Sequence, residues 1–258
     1  MAAASPQRIF ITGASSGIGA ALARVYGQRG AILGLSARRE QALREVAARS
    51  GASAARVYAC DVRDTGALQR AAQDFMAHHG CPDVVIANAG ISFGTLTERP
   101  EDYSAFREVM DVNVCGLVAT FQPYVEAMRA RGRGTLVGVA SVAGYRGLPG
   151  AEAYCASKAA AIAYLESLRV RLAPEGLSVI TLSPGYIDTP MTEENPYPMP
   201  FILDVDTAAR KMVRLIDRRV KYAVLPWQMA IVARLLRLLP DWLYDRALAH
   251  APQKPRRS

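Results

Sequence analysis

Ile9-Phe-Ile-Thr12-Gly13-Ala-Ser15-Ser16-Gly17-Ile18-Gly19 is the stretch whose reading decides the fold. Four residues of high β-propensity run into a glycine-rich turn, and an amphipathic pattern from Ile18 to Arg29 follows at once. Gly13, Gly17 and Gly19 are spaced as G-x-x-x-G-x-G, not as the commoner G-x-G-x-x-G. The physics is shared: glycines permit a tight turn and close backbone approach, and a helix N-terminus offers free N–H groups to a pyrophosphate. A glycine-rich turn can also be a purely structural connection. Its place after the first strand of a βαβ unit tips the reading towards a dinucleotide.

Outward from this unit the same alternation continues. Strand-like runs fall at Ala31–Ser36, Val57–Cys60, Val84–Asn88, Thr135–Ala140, Val179–Ser183 and Tyr222–Leu225. Helical patterns lie between them at Arg39–Ser50, Thr65–His79, Tyr103–Ala130 and Tyr154–Leu172. Several strands are almost continuously apolar, as strands covered on both faces must be. The expectation is an α/β fold: a Rossmann-like, doubly wound parallel sheet of about seven strands with helices on both faces. No linker composition interrupts the chain, so residues 1–258 are expected to form one domain. Ligands of such sheets dock at the carboxyl ends of the strands.

The composition excludes several classes. An apolar content of 51% is enough for a packed core and rules out disorder as the main state. The greasiest stretch, 222–243, is broken by Pro226, Arg234, Arg237 and Pro240, so no span is expected. The start of the chain lacks the pattern of a signal peptide. Cys60, Cys81, Cys115 and Cys155 form no Cys-x-x-Cys pair, and the histidines show no metal-ligand spacing. A reducing, cytoplasmic setting without a metal is therefore expected. The net charge of +8 serves solubility or an anionic ligand, and solubility is the weightier reading. Part of the excess sits in Lys254-Pro-Arg-Arg-Ser258, read as a frayed end. No nucleic-acid partner is indicated.

The second strand ends without the carboxylate that would bond an adenosine ribose, and Arg38 and Arg39 follow directly. Basic residues are unfavourable at a helix start unless an anion is near. That favours NADP(H), whose 2′-phosphate a guanidinium can hold, over NAD(H). The strongest chemical signal is Tyr154-Cys-Ala-Ser-Lys158, which places an ammonium beside a phenol on one helix face. A nearby cation is expected to lower the phenol pKa from its usual value near 10 and fit tyrosine for proton exchange. Ser141 ends the fifth strand, where a hydroxyl can donate to a carbonyl oxygen. Asn88-Ala89-Gly90 closes the fourth strand. Asn113 lies inside an apolar helix, where it is unfavourable without a polar task; holding a water beside Lys158 is the sharper reading. Pro184-Gly185 ends the sixth strand and opens a loop with Ile187 and Thr189, placed to close over a nicotinamide.

Together, Thr12–Gly19, Asp61, Asn88-Ala89-Gly90, Asn113, Ser141, Tyr154-x-x-x-Lys158 and Pro184-Gly185 resemble the short-chain dehydrogenase/reductase superfamily, over about residues 7–226. The resemblance implies Tyr154 as proton donor or acceptor and Ser141 as the group orienting the carbonyl. Lys158 would lower the tyrosine pKa and hold ribose, while Asn113 would support a water in the proton relay. Asp61 with Val62 would meet the adenine. It also implies a homodimer or homotetramer joined through the helices carrying Asn113 and Tyr154. Arg38 resembles the NADP-preferring branch. Ser16 departs from the basic residue some NADP-dependent relatives carry before Gly17, so the phosphate clamp rests on Arg38, Arg39 and Ser15. The chain also lacks the short glycine-rich ending of relatives resembling 3-oxoacyl-carrier-protein reductases.

The resemblance implies a substrate lid over residues 186–210, and Pro190, Pro196, Pro198 and Pro200 read as extending and stiffening it. Met191, Tyr197, Met199 and Phe201 would line a pocket with Tyr145, Leu148 and Tyr186, suited to a hydrophobic carbonyl or alcohol. A lid packed only on the protein is nearly as consistent. In the amphipathic segment 228–250, Ile231, Leu235 and Leu238 share a face widened by Val232, Leu236 and Leu239. Burial in the subunit or its dimer is preferred over a membrane surface. The expected activity is NADP(H)-dependent interconversion of a small-molecule carbonyl and a secondary alcohol. The rival is a non-catalytic NADP(H)-binding sensor or scaffold, against which the set Asn113, Ser141, Tyr154 and Lys158 argues.

Overall fold

The computed structural model describes residues 5–193, 195, 197–249 and 251–256. Pro196, the last position of segment 228–250, and the final two residues of the expected frayed end lie outside them. Among the described residues seven strands form one parallel sheet: β1 (Arg8–Thr12), β2 (Ile32–Ala37), β3 (Ala54–Ala59), β4 (Val84–Ala87), β5 (Gly134–Val139), β6 (Leu177–Pro184) and β7 (Tyr222–Leu225), in the order β3-β2-β1-β4-β5-β6-β7. The helices are α1 (Gly17–Gly27), α2 (Glu40–Arg49), α3 (Thr65–His79), α4 (Asp102–Met110), α5 (Gly116–Arg131), α6 (Glu152–Leu172), α7 (Pro190–Glu193), α8 (Val205–Asp217), α9 (Trp227–Leu238) and α10 (Asp241–Leu248). None is long and apolar enough to cross a membrane.

Strand alternation divides the core between two faces. Ile9 and Ile11 of β1 join Leu22 and Tyr26 of α1 and Met212 and Val213 of α8. Phe10 points the other way, its ring centroid 5.8 Å from Phe75 of α3 and 5.2 Å from Tyr124 of α5. The chain leaves β1 for β2 on one side, and β4 pairs with β1 on the other. Strand order reverses there, and a crevice opens at the carboxyl ends of β1 and β4.

Four expectations need correction. The single helix expected over 103–130 is two, α4 and α5, joined by a π-helical turn at Asp111–Cys115. The wider turn accompanies the buried Asn113 side chain, which binds backbone outside its own helix. The segment expected as a lid cannot run over all of 186–210: Asp204 caps α8 by accepting from Thr207 N, and Ala208 and Ala209 are core residues. It is also not wholly extended, since α7 occupies Pro190–Glu193.

The third concerns α9, which within the subunit buries Met229 and Ala233 and leaves Ile231, Leu235 and Leu238 exposed, Leu238 at 80%; of the two burials expected, subunit or dimer, only the first is corrected. Arg146 holds the end of this helix, donating to the carbonyls of Leu236 and Leu239 and stacking on Tyr244. Residues 254–256 are the fourth: they do not fray but pack against the molecule, with Arg256 paired to Asp102 and Glu101.

Candidate active site

The crevice begins at the turn after β1. Gly13 adopts φ +66°, and a Cβ there would lie 2.7 Å from the Ala89 Cα. A Cβ on Gly19 would lie 2.2 Å from the Gly13 carbonyl oxygen. These two glycines let the turn close tightly onto α1 and β4. The Asn88 amide stitches the strand ends together by donating to the carbonyls of Thr12 and Gly13, both at 3.2 Å. Ser16 precedes α1 without a side-chain cap, and no acidic residue occupies the first turn. The helix N–H groups there keep their affinity for an anion.

Across the turn, Arg39 donates to the hydroxyls of Ser15 (3.3 Å) and Ser16 (3.0 Å). Arg38 and Arg39 are both exposed on the rim. Asp61 lies where the third strand ends, but Arg63 engages both of its carboxylate oxygens and holds it below the usual carboxylate range. Val62 packs its side chain against Gly116. One cleft is lined by Gly13, Ser15, Ser16, Gly17, Ile18, Arg38, Arg39, Asp61, Val62, Asn88, Ala89, Gly90, Tyr154, Lys158, Pro184 and Thr189.

At its inner end stands the α6 pair. The Lys158 ammonium is buried, donates to the Val139 carbonyl at 2.9 Å, and lies 5.7 Å from the Tyr154 ring centroid. Burial without a carboxylate partner pushes its pKa down to about 8. Desolvation also raises the Tyr154 phenol, and a hydrogen bond with Ser141 pulls it partly back. The largest influence on the phenol is thus its removal from water, where a lowering by the neighbouring lysine was expected. Ser141 follows β5 and accepts from Ala143 N at 3.2 Å, which anchors its hydroxyl beside the phenol.

Asn113 is buried behind this pair. Its Oδ1 accepts from Ile91 N (2.8 Å), and its Nδ2 donates to Ile91 O (2.9 Å) and to Ser157 Oγ (2.9 Å). Ser157 in turn donates to the Tyr154 carbonyl at 2.8 Å. Both amide hydrogens are thus spent, leaving only the second lone pair of Oδ1 for the expected water. The chain of bonds ties the loop after β4 to the turn carrying Tyr154.

Three expected cofactor residues do not line the cleft. Gly19 lies against Gly13 and the Asn88 amide, and Gly185 sits beneath Met229 of α9 and donates to the Leu225 carbonyl. Ile187 is buried and bridges to Leu203 at the base of the lid. Conversely, Cys60, Ile91, Val112 and Met191 line the cleft without having been singled out as cofactor residues. Met191 alone carried a signal, as an apolar lid residue; the others are ordinary core types that tertiary packing brings to the rim.

Comparison with known proteins agrees with this geometry. The short chain dehydrogenase family profile matches residues 7–198. The chain is 38% identical over 250 residues to an uncharacterised oxidoreductase of Myxococcus xanthus, covering 96% of this chain and 98% of the relative. It is 32% identical to an 11-beta-hydroxysteroid dehydrogenase A of Sesamum indicum, over 96% of this chain and 77% of the relative. Among solved structures, a short chain dehydrogenase from Burkholderia cenocepacia in complex with NADP superposes with a TM-score of 0.81 at 26% identity, covering 94% of this chain and 98% of that one. A family match over residues 7–198, an unbroken parallel sheet and a Tyr-x-x-x-Lys pair at the strand ends agree: the chain belongs to the short-chain dehydrogenase family and is an oxidoreductase acting on CH–OH or C=O groups.

Proposed function

We propose that the protein is an NADP(H)-dependent oxidoreductase that interconverts a carbonyl and a secondary alcohol on a hydrophobic small molecule. One observation carries the reading: a single cleft joins the Tyr154–Lys158 pair to a rim bearing Arg38, Arg39, Ser15 and Ser16. The rim fits a phosphorylated dinucleotide, because Arg39 reaches Ser15 and Ser16 at an uncapped helix N-terminus, Arg38 lines the same cleft, and the local carboxylate, Asp61, is already paired with Arg63. The glycine turn leaves room for a pyrophosphate, Asn88-Ala89-Gly90 and Val62 would flank the adenosine side, and Pro184 and Thr189 the nicotinamide. When bound, NADPH supplies a hydride to the carbonyl carbon.

The chain's own groups manage the oxygen and the proton. The Ser141 hydroxyl donates to the carbonyl oxygen and holds it within reach of Tyr154. The phenol gives its proton to that oxygen as negative charge builds, and the reverse transfer serves oxidation. Lys158, protonated at neutral pH with its pKa near 8, lowers the energy of the phenolate left behind and bonds ribose hydroxyls. Asn113 and Ser157 hold the Tyr154 turn in register. Tyr186 and Tyr197 lie with ring centroids 6.4 Å apart on the lid, and Met191 lines the cleft, which suits an apolar substrate. A relative named for a hydroxysteroid and a structural neighbour complexed with NADP support both parts of the reading.

The same reading keeps the enzyme in the cytoplasm as a homodimer or homotetramer. The deciding measurement is a panel of ketones and alcohols followed by NADPH absorbance. Turnover confined to NADP(H) upholds the proposal. NADPH binding with silence across the panel overturns it in favour of a sensor.

A further inference from the structure

The larger apolar side chains of α9 face away from the molecule. Trp227, Ile231, Leu235 and Leu238 recur at helical spacing and are exposed by 49% to 80%, while the helix rests on Met229 and Ala233. Trp242 and Leu243 of α10 continue the exposed set. Half of the large apolar side chains exposed among the described residues thus fall within residues 227–243. Single apolar residues on a surface need no explanation, but a set gathered on two consecutive helices marks a contact surface.

This face is held outward by fixed partners. Met229 packs over Gly185, where a Cβ would stand 2.7 Å from the Met229 Cγ. Arg146 donates to the Leu236 and Leu239 carbonyls and to Asp241 Oδ1 at 2.8 Å, and its guanidinium lies 3.8 Å from the Tyr244 ring centroid. Tyr244 in turn donates to the Gly147 carbonyl. Both helices are therefore fastened to the loop after β5.

The charge on the face selects what covers it. α9 contains no acidic residue, and its two cations, Arg234 and Arg237, are exposed. Of the carboxylates in α10, Asp241 is engaged by Arg146, and Asp245 precedes Arg246 in the chain. A second copy packed here about a twofold axis would set the same patch against itself, bringing these arginines together with no carboxylate of α9 between them. Phospholipid headgroups supply the negative charge instead, and the boundary beneath them accepts Trp, Leu and Ile. No helix among the described residues is long and apolar enough to cross a membrane, so such a contact stays at the surface.

We propose that α9 and α10 seat the protein on an anionic lipid surface, with their exposed apolar side chains in the headgroup boundary and Arg234 and Arg237 against lipid phosphates.

The test uses the full-length protein, whose two tryptophans both lie on this face. Vesicles of phosphatidylglycerol and phosphatidylcholine in equal parts are compared with phosphatidylcholine alone, by sedimentation and by tryptophan emission. The wild type should pellet with the anionic vesicles at moderate salt, and its emission should shift to the blue as the indoles leave water. Leu235→Ser with Leu238→Ser, at two exposed positions, should weaken this binding about 10- to 100-fold. Arg234→Gln with Arg237→Gln should weaken it about 10- to 30-fold and remove the preference for anionic over neutral vesicles. Both variants should keep the wild-type melting curve.

Failure of the wild type to bind or to prefer the anionic vesicles overturns the proposal. So does binding that either variant retains in full, or binding that leaves tryptophan emission unmoved, because another surface then makes the contact. A melting temperature well below wild type in the leucine variant would show those side chains packed rather than free, against the proposal. A wild-type oligomer that dissociates on the leucine substitutions, without lipid binding, assigns the face to a second copy instead.

Discussion

The proposed cofactor side and the proposed substrate side of this molecule are built on different principles. From β1 to β4 the site is made of backbone: a glycine turn, an uncapped helix and strand ends stitched by Asn88. Beyond β6 it is made of side chains that meet from distant positions, such as Arg146 with the end of α9 and Arg256 with Asp102. A backbone site tolerates changes of side chain but not of shape. A side-chain site can be retuned by one substitution, which suits the part of an enzyme that distinguishes substrates.

The sharpest way to separate the two sides is to remove a group that serves only chemistry. Tyr154→Phe should lower kcat by about 10²–10⁴-fold while NADPH affinity, measured by fluorescence titration, changes only a few-fold. Retention of more than a tenth of the activity would mean that the phenol is not the proton donor.

A second measurement addresses the buried ammonium between the two sides. Lys158 falls from 10.5 in an exposed setting to about 8 in the fold. Between those values the unfolded chain binds more protons, so stability should rise with pH across this window. At about 1.4 kcal/mol per pH unit, the full gap amounts to about 3 kcal/mol. Denaturant unfolding of wild type and Lys158→Met from pH 7 to 10.5 should show the wild type gaining on the variant as pH rises. Parallel curves would place the lysine in water.

On the cofactor side, Arg38→Ala should weaken NADPH about 10- to 100-fold and leave NADH almost unchanged, as expected for one charge-assisted contact to a phosphate. Equal loss for both cofactors would assign Arg38 to the fold. On the proposed substrate side, Arg146→Ala leaves the Leu236 and Leu239 carbonyls at the end of α9 without their donor and removes the stack on Tyr244. A loss of about 2 kcal/mol is expected, or roughly 4–8 °C in Tm. The protein's two tryptophans, Trp227 and Trp242, both lie in α9 and α10, so their emission follows this region alone. An unchanged melting curve by tryptophan emission would show that Arg146 does not hold the cap.

The seven strands were legible because each is a short apolar run bounded by turn residues, and Tyr222–Leu225 is strand β7 to the residue. The cleft's glycines, Tyr154 and Lys158 were legible for a related reason: spacing along a helix or around a turn becomes position directly. Asn113 drew notice as a polar residue out of place. The π-helical turn that holds it did not, since its cause is the backbone of Ile91, 22 residues away in the chain.

The sequence by itself determined the sheet, its doubly wound connections and the chemistry at the strand ends, because local propensity and short-range spacing encode them. Only the tertiary structure decided three things: the direction in which Tyr154 is shifted, which face of α9 is buried, and where residues 254–256 go. Each depends on partners far apart in the chain, 154 residues for Arg256 and Asp102 and 93 for Arg146 and Leu239. No periodicity records such a pairing. A phenol's desolvation and an ion pair's geometry exist only once the fold has brought both groups to one place.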